Sequence, residues 1–187
     1  MKTVTNFAIA LAAVTMFAAC GNTQKPADAD PHAGHNHAPG EGHGAPVEQK
    51  TTSVSLKDDK LNAVYQHYIH LTTALVNGDM AEAKIAAAAI ELGAKELSNG
   101  SVLATLASKI AAAADIEAQR ILLSDLSNDF ITRVKSSGLS SGEIYVEYCP
   151  MAMNDKGAYW LSNQKDIKNP YYGESMLTCG EVKETIK

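Results

Sequence analysis

The chain is 187 residues long, carries a formal net charge of −5 and is 45% apolar. This length accommodates one domain with additional segments, and the apolar fraction suffices for a hydrophobic core. Much of that fraction is alanine, which buries little area per residue, so we expect a thin, helical core. The positive charges are not clustered, which excludes nucleic-acid binding, because that function needs clustered Lys and Arg side chains against phosphates.

The first nineteen residues, MKTVTNFAIALAAVTMFAA, have the pattern of an export signal. Lys2 supplies a short positive region, and the apolar run over residues 7–19 is too short to span a membrane. The run ends in FAAC, which resembles a lipobox and predicts lipidation at Cys20. The alternative is an ordinary signal peptide cleaved near Ala19. The next two residues do not include the aspartate that retains lipoproteins at the inner membrane, so we expect an outer-membrane anchor facing the periplasm.

Residues 20–54 are rich in Pro, Gly, Ala and Asp and poor in bulky apolar side chains. Such a composition predicts a disordered tether, because it cannot bury enough surface to offset the entropy of ordering. Four of the six histidines of the chain lie in this segment, namely His32, His35, His37 and His43. Short His-rich tracts often bind metals, so we predict a secondary metal site here; the alternative is a flexible linker with incidental histidines.

From Ser55 onward the sequence pattern is helical. Ser55 and Asp58 predict a capped helix start, and Asp79 and Asp115 predict two more. The predicted helices span about 55–77, 79–97, 101–113 and 115–135. Because their connections are short, we predict that the domain over residues 55–187 is mainly α and is built on an antiparallel up-and-down four-helix bundle.

Two histidines, His67 and His70, lie three residues apart on the first predicted helix and therefore share a face. They could both reach one metal ion. However, no partner motif such as Glu-x-x-His accompanies them, and bundle metal sites usually recruit side chains from facing helices. We therefore expect these histidines to be partly exposed or paired with carboxylates, and the bundle to act as a scaffold.

After residue 142 the pattern becomes that of β-strands. Alternating apolar and polar residues predict strands in EIYVEYC, GAYWLSN and MLTCGEVKETI, and NPYYG predicts a turn. Pro150 should end regular pairing. A small antiparallel β unit over residues 143–187 should therefore cap one end of the bundle.

This β unit concentrates the sulfur of the domain. It contains Cys149, Met151, Met153, Met176 and Cys179, whereas Met80 is the only other methionine after the export segment. In an extended segment the first three would face one side. Thiolate and thioether ligands select soft ions, so we predict a copper ion, preferably Cu(I). Trp160 could shield this ion or form a cation–π contact; the alternative is an aromatic mini-core.

The alternative for the two cysteines is a structural disulfide. Envelope proteins with two cysteines in a folded domain usually pair them. The two hypotheses are compatible, since the pair could be oxidised when empty and bind copper when reduced. A redox catalyst is disfavoured, because the chain has no Cys-x-x-Cys motif.

The segment YCPMAMNDKGAYWLSNQKDIKNPYYGESMLTCG, together with the helical stretch AVYQHYIHLTTALVNGD, resembles the family catalogued as domain of unknown function 3347. The resemblance covers about residues 56–186 and is most specific in the C-terminal motifs. It implies a periplasmic heavy-metal role, as a lipoprotein or fused to membrane-fusion subunits of copper and silver efflux systems. It also implies that Cys149, Met151, Met176 and Cys179 are the motif positions.

These observations predict an envelope lipoprotein, not an enzyme, that binds Cu(I), with Ag(I) as a second candidate. It would buffer the ion or hand it to an efflux adaptor, and so contribute to heavy-metal resistance. The first alternative is a disulfide-stapled structural or adaptor domain that binds no metal. The second is an enzyme or electron carrier with a copper–thiolate centre, although the motif lacks the His₂Cys set of blue-copper proteins.

Overall fold

The computed structural model describes residues 53–187, which belong to one compact unit that begins at Glu48. This unit contains the whole hydrophobic core of the described residues, so we expect it to fold on its own. The predicted export signal, the lipidation site Cys20 and the tether histidines His32, His35, His37 and His43 lie outside the described residues. The described part is mainly helical, with a small antiparallel β region towards the C-terminus.

Four long helices form the larger part of the unit. They are α1 (Asp59–Val76), α2 (Met80–Ala94), α3 (Ser101–Ala112) and α4 (Ile116–Ser137). Each helix packs against the next along the chain, and α1 also packs against α4. Within residues 53–187, no helix is both long and apolar enough to cross a membrane.

Aspartates begin three of these helices. Asp58, Asp79 and Asp115 each accept a hydrogen bond from the backbone N–H three residues later, at 2.8–2.9 Å. Such caps satisfy amide groups that have no partner within the helix. The prediction of a cap at Ser55 was wrong, because the Asp58 carboxylate occupies that role. Ser55 lies instead in a two-residue strand, β1 (Ser55–Leu56), which pairs with β2 (Leu139–Ser141).

The second helix is shorter than the sequence pattern indicates. It ends at Ala94, and the N–H of Leu97 then bonds to the Ala94 carbonyl at 3.1 Å in a turn. Gly100 completes this connection, because its Cα lies so close to the Ala94 carbonyl that a Cβ would overlap it at 1.8 Å. The helix therefore closes early, and the chain turns directly into α3.

The C-terminal sheet has three antiparallel strands in the order β4-β3-β5. They are β3 (Ile144–Cys149), β4 (Ala158–Ser162) and β5 (Glu181–Ile186). The first two coincide with predicted strands, and β3 ends immediately before Pro150. The third prediction placed the strand start too early: Met176 lies in a 3₁₀ turn, Gly173–Met176, and Cys179 lies in the connection that leads to β5.

A buried tyrosine joins this sheet to the helices. The Tyr68 hydroxyl of α1 accepts a hydrogen bond from the Leu161 N–H of β4 at 3.0 Å. It also shares a 2.9 Å hydrogen bond with the Ser127 hydroxyl of α4. Its ring packs against Phe130 with centroids 4.5 Å apart. Burial holds the Tyr68 pKa well above its ordinary value, so the hydroxyl remains protonated.

A β-bulge between Val146 and Glu147 interrupts the pairing of β3 with β5. Glu147 is fully buried, and neither carboxylate oxygen has a hydrogen-bond partner among the described residues. Burial raises the pKa of Glu147 to about 8, although the neighbouring Trp160 indole opposes this shift. The folded protein therefore holds this carboxyl protonated at neutral pH.

We predict that stability falls as the pH rises through the window set by Glu147. Below its ordinary pKa of 4.5 both the folded and unfolded states carry the proton. Between that value and about 8 only the folded state keeps it, so each pH unit lowers the free energy of unfolding by up to about 1.4 kcal/mol. Urea denaturation at pH 5.5 and pH 8 should show the unmodified protein to be more stable at the lower pH.

The Glu147→Gln variant should lose most of this dependence and exceed the unmodified protein in stability at pH 8. Glu174→Gln, which changes an exposed carboxylate, is the matched control and should follow the unmodified protein. An identical pH dependence in all three proteins would show that Glu147 does not titrate in this window.

Candidate metal centre

The structure brings the two cysteines of the C-terminal unit together. Cys149 is the last residue of β3, and Cys179 lies 30 residues later, just before β5. Their sulfur atoms are 2.7 Å apart, which is longer than a disulfide bond and shorter than an ordinary contact between two thiols. Cys149 is fully buried and Cys179 is half-buried. The strand order produces this meeting, because β5 returns to pair with β3.

The separation of the two sulfur atoms is intermediate between two chemical states. A disulfide bond is about 2.05 Å long, so oxidation requires the sulfurs to approach by about 0.7 Å. A metal ion held by two thiolates at about 2.3 Å in tetrahedral geometry would place them about 3.8 Å apart, so it requires them to separate by about 1 Å. The pair is therefore close to both arrangements.

Asn169 holds the segment that carries Cys179. Its side-chain amide donates to the Cys179 carbonyl at 2.8 Å, and its carbonyl oxygen accepts from the Tyr171 N–H at 2.8 Å. Its backbone N–H donates to the Leu177 carbonyl at 2.8 Å. Because Asn169 is fully buried, these bonds are shielded from water. The NPYYG pattern predicts a turn but does not reveal that Asn169 anchors the Cys179 segment. The signal was available, because Asn before Pro marks a turn and its side chain is suited to backbone hydrogen bonds.

The residue after Cys179 must be glycine. Gly180 has φ +144°, and a Cβ there would lie 2.9 Å from the Trp160 ring and 3.1 Å from the Tyr148 carbonyl. The chain thus passes in close contact with the Trp160 ring immediately after Cys179. Trp160 itself is 1% exposed and packs edge-on against Tyr171, with centroids 5.9 Å apart. It is a core residue beside the thiol pair, and its role as a shield for an ion stays a prediction.

The expectation that Cys149, Met151 and Met153 share one face of an extended strand was wrong. The strand ends at Cys149, and residues 152–155 form a tight turn. Met153, Asn154 and Asp155 have φ values of 56–62°, in the left-handed region that non-glycine residues rarely adopt. The chain therefore reverses direction directly after Pro150, and the alternation of a strand does not apply.

The three methionines differ in their relation to the thiol pair. The Met151 backbone lies beside Cys179, where its N–H lowers the thiol pKa, and its carbonyl accepts from the Tyr172 hydroxyl at 2.6 Å. Its side chain is 47% exposed. Met176 is half-buried, and its carbonyl accepts from the Cys179 N–H at 3.0 Å. Met153 lines a cleft beside α4, with Ile121 and Tyr172.

The electrostatic environment favours the neutral form of the Cys179 thiol. The pKa of Cys179 is raised to about 11, chiefly because it shares a hydrogen bond with Cys149 and secondarily because of desolvation. The thiolate is the form that binds metals, so a bound ion would have to displace a proton. The donor set of two thiols with thioethers nearby in the chain fits a soft ion such as Cu(I).

The two histidines of α1 lie at the surface, and among the described residues only one of them contacts a carboxylate. His67 and His70 are both exposed, and His70 Nε2 contacts Glu82 Oε1 of α2 at 2.9 Å. Over residues 53–187, no three His, Cys, Asp or Glu side chains converge in a way that could hold a metal ion. The two cysteines are thus the pair that the structure brings together from the predicted site.

Comparison with known proteins finds a match to one family model over part of the chain. Residues 64–142 match the family model described as "Protein of unknown function (DUF3347)". No curated protein and no solved structure matches the chain. The matched range runs from within α1 to the end of β2 and stops before the Cys/Met motif, so the match supports the resemblance to this family of unknown function over most of the helical part of the domain.

Proposed function

We propose that this chain is an envelope lipoprotein that binds a soft metal ion, Cu(I) first and Ag(I) second, and buffers it or hands it to an efflux adaptor. The ligands are Cys149 and Cys179, completed by Met151 or Met176, with Met153 as a further candidate. The observation that carries this proposal is the convergence of two sulfurs from positions 30 residues apart to 2.7 Å. No substrate is converted in this function: metal–sulfur bonds form as thiol protons are released, and the ion moves by exchange of ligands.

The geometry around the pair supports uptake of an ion. Cys179 is half-buried and lies in a connection, whereas Cys149 is fixed in a strand. The opening of about 1 Å that an ion requires is therefore met by movement of the Cys179 side chain. The exposed Met151 side chain offers a flexible thioether at the surface, which suits transfer of the ion to another set of ligands.

The cellular setting is proposed from the sequence. The FAAC pattern before residue 21 supports a lipid anchor, and the histidine tract supports a second, weaker site that collects ions near the membrane. The resemblance to efflux-associated domains supports a membrane-fusion protein as the partner. We further infer that the four helices form an antiparallel up-and-down bundle, since their connections are short and successive helices pack together.

The same sulfur distance supports a second candidate, a disulfide-stapled adaptor that binds no metal. Closing a loop of about 30 residues would stabilise the domain by about 4 kcal/mol in the chain-entropy model. That gain is large relative to the free energy of unfolding of a typical domain, which is about 5–15 kcal/mol. An oxidising compartment would favour this form.

Titration with Cu(I) tests the first candidate. The chain from Glu48 onward, which lacks the histidine tract, should be reduced and titrated against a competing Cu(I) chelator. We expect one ion per chain, and at least a 100-fold loss of affinity in Cys149→Ser and in Cys179→Ser, because each removes one of two strong ligands. Binding by the double variant that equals binding by the unmodified chain would overturn the proposal.

A methionine substitution tests the thioether contribution. Met151→Leu keeps the size of the side chain and removes its sulfur, so we expect Cu(I) affinity to fall on the order of 10-fold, as it does for the loss of supporting ligands. Met80→Leu, in α2, is the matched control and should bind as the unmodified chain does. Equal affinities in both variants would exclude Met151 as a ligand.

A thiol count on the untreated protein, followed by urea denaturation with and without reductant, tests the staple. If the second candidate is right, the untreated chain has no reactive thiol at these positions and loses about 4 kcal/mol of unfolding free energy on reduction. The Cys149→Ser/Cys179→Ser variant is the control, and its stability should not respond to the reductant. A reduced chain that unfolds at the same urea concentration as the oxidised one would contradict the staple.

A further inference from the structure

The outward face of α2 carries two large apolar side chains that have no packing partner among residues 53–187. Ile85 is 60% exposed and Leu92 is 67% exposed. They are seven residues apart, which is about two helical turns, so they lie on one line along the helix. Ala88 and Ala89 occupy the space between them and are half-buried.

The opposite face of α2 is already occupied. Its buried residues pack into the core, where α2 lies against α1 and α3; they are Ala83, Ala86, Ala87, Ile90 and Ala94. The Ile85–Leu92 line therefore is not needed for folding of this domain. Exposed Ile and Leu at two-turn spacing on one helix form a surface suited to another helix.

The charged side chains beside this line would form opposite-charge pairs with those of a second, antiparallel copy of the same helix. Lys84 and Glu91 are also seven residues apart, on one side of the Ile85–Leu92 line. If two α2 helices pack antiparallel about a two-fold axis near Ala88, the Lys84 end of each helix meets the Glu91 end of the other. Both ends then gain an attractive pair, because a two-fold interface repeats each contact. Glu91 contacts Lys95 in the single chain, and that exposed ion pair is weak.

We propose that the Ile85–Leu92 face of α2 is the interface of a homodimer, in which two α2 helices pack antiparallel around Ala88 and Ala89. The alanines allow close approach of the two helix axes. One helix face is smaller than the roughly 800 Å² per partner of a standard stable interface. The dimer is therefore weak, with a dissociation constant on the order of 0.1 mM.

Sedimentation equilibrium of the chain from Glu48 onward tests this dimer, at concentrations from about 10 μM to about 1 mM. Reductant and a metal chelator should be present, so that neither an intermolecular disulfide nor a bridging ion contributes. We expect concentration-dependent dimerisation that is weakened at least 10-fold by Ile85→Gln/Leu92→Gln. Ile121→Gln, which changes a side chain of 59% exposure on α4, is the matched control and should dimerise normally.

Charge reversal tests the antiparallel geometry. Lys84→Glu and Glu91→Lys should each weaken self-association, since each places like charges at both ends of the helix pair. A mixture of the two variants should associate more strongly than either alone, because both ends then carry opposite charges. The double variant should also regain self-association.

Two results would overturn the proposal. The first is a monomer throughout the concentration range. The second is a dimer that the α2 substitutions leave unchanged, which would locate the interface on another surface.

Discussion

The hydroxyl of Tyr68 joins three elements of the domain, namely α1, α4 and β4, and so sets the position of the sheet on the helices. From α1 it reaches Ser127 on α4 and the backbone of Leu161 on β4. Because the site is buried, loss of this hydroxyl would leave the Leu161 N–H without a partner, at a cost of about 1–3 kcal/mol. The helices and the sheet are therefore coupled through this buried polar contact. The position of β4 on the helices in turn determines where β3 and its terminal cysteine lie.

From β4 the construction of the thiol pair follows stepwise. β3 pairs with β4 and ends at Cys149, and β5 adds to the free edge of β3. The chain between β4 and β5 must then return past the end of β3, and Asn169 holds this return by bonding to the Cys179 carbonyl. Helical packing, sheet order and one buried amide thus combine to bring two sulfurs together. The family match over residues 64–142 covers most of α1, the next three helices and β2, and it stops before this sheet.

The sequence predicted the regular elements well, because periodicity and capping are local signals. The aspartate caps at residues 79 and 115 and the strands at β3 and β4 were found from patterns within a few residues of each position.

Glu147 shows where such signals fail. Alternation in EIYVEYC assigns Glu147 to the polar face, but Glu147 pairs with the buried Trp160 of β4, so this face of the sheet is covered as well. The left-handed turn after Pro150 likewise depends on tertiary packing. The sequence pattern could therefore not show that Met151 and Met153 do not continue the strand of Cys149.

The thiol pair has two chemical fates that require opposite movements of about 1 Å or less. Cys149 is the last residue of β3 and pairs with Ala158 of β4, so the movement falls on Cys179. The backbone there is restrained, since Asn169 bonds the Cys179 carbonyl and Gly180 packs against the Trp160 ring. Rotation of the Cys179 side chain is therefore the cheaper route to either state. Because rotation of the same side chain, in opposite senses, leads to either state, the surrounding fold does not discriminate strongly between a disulfide and a bound ion. The supply of reductant and of soft metal decides the outcome, and the affinity of the oxidised chain for an ion must include the free energy of reducing its disulfide.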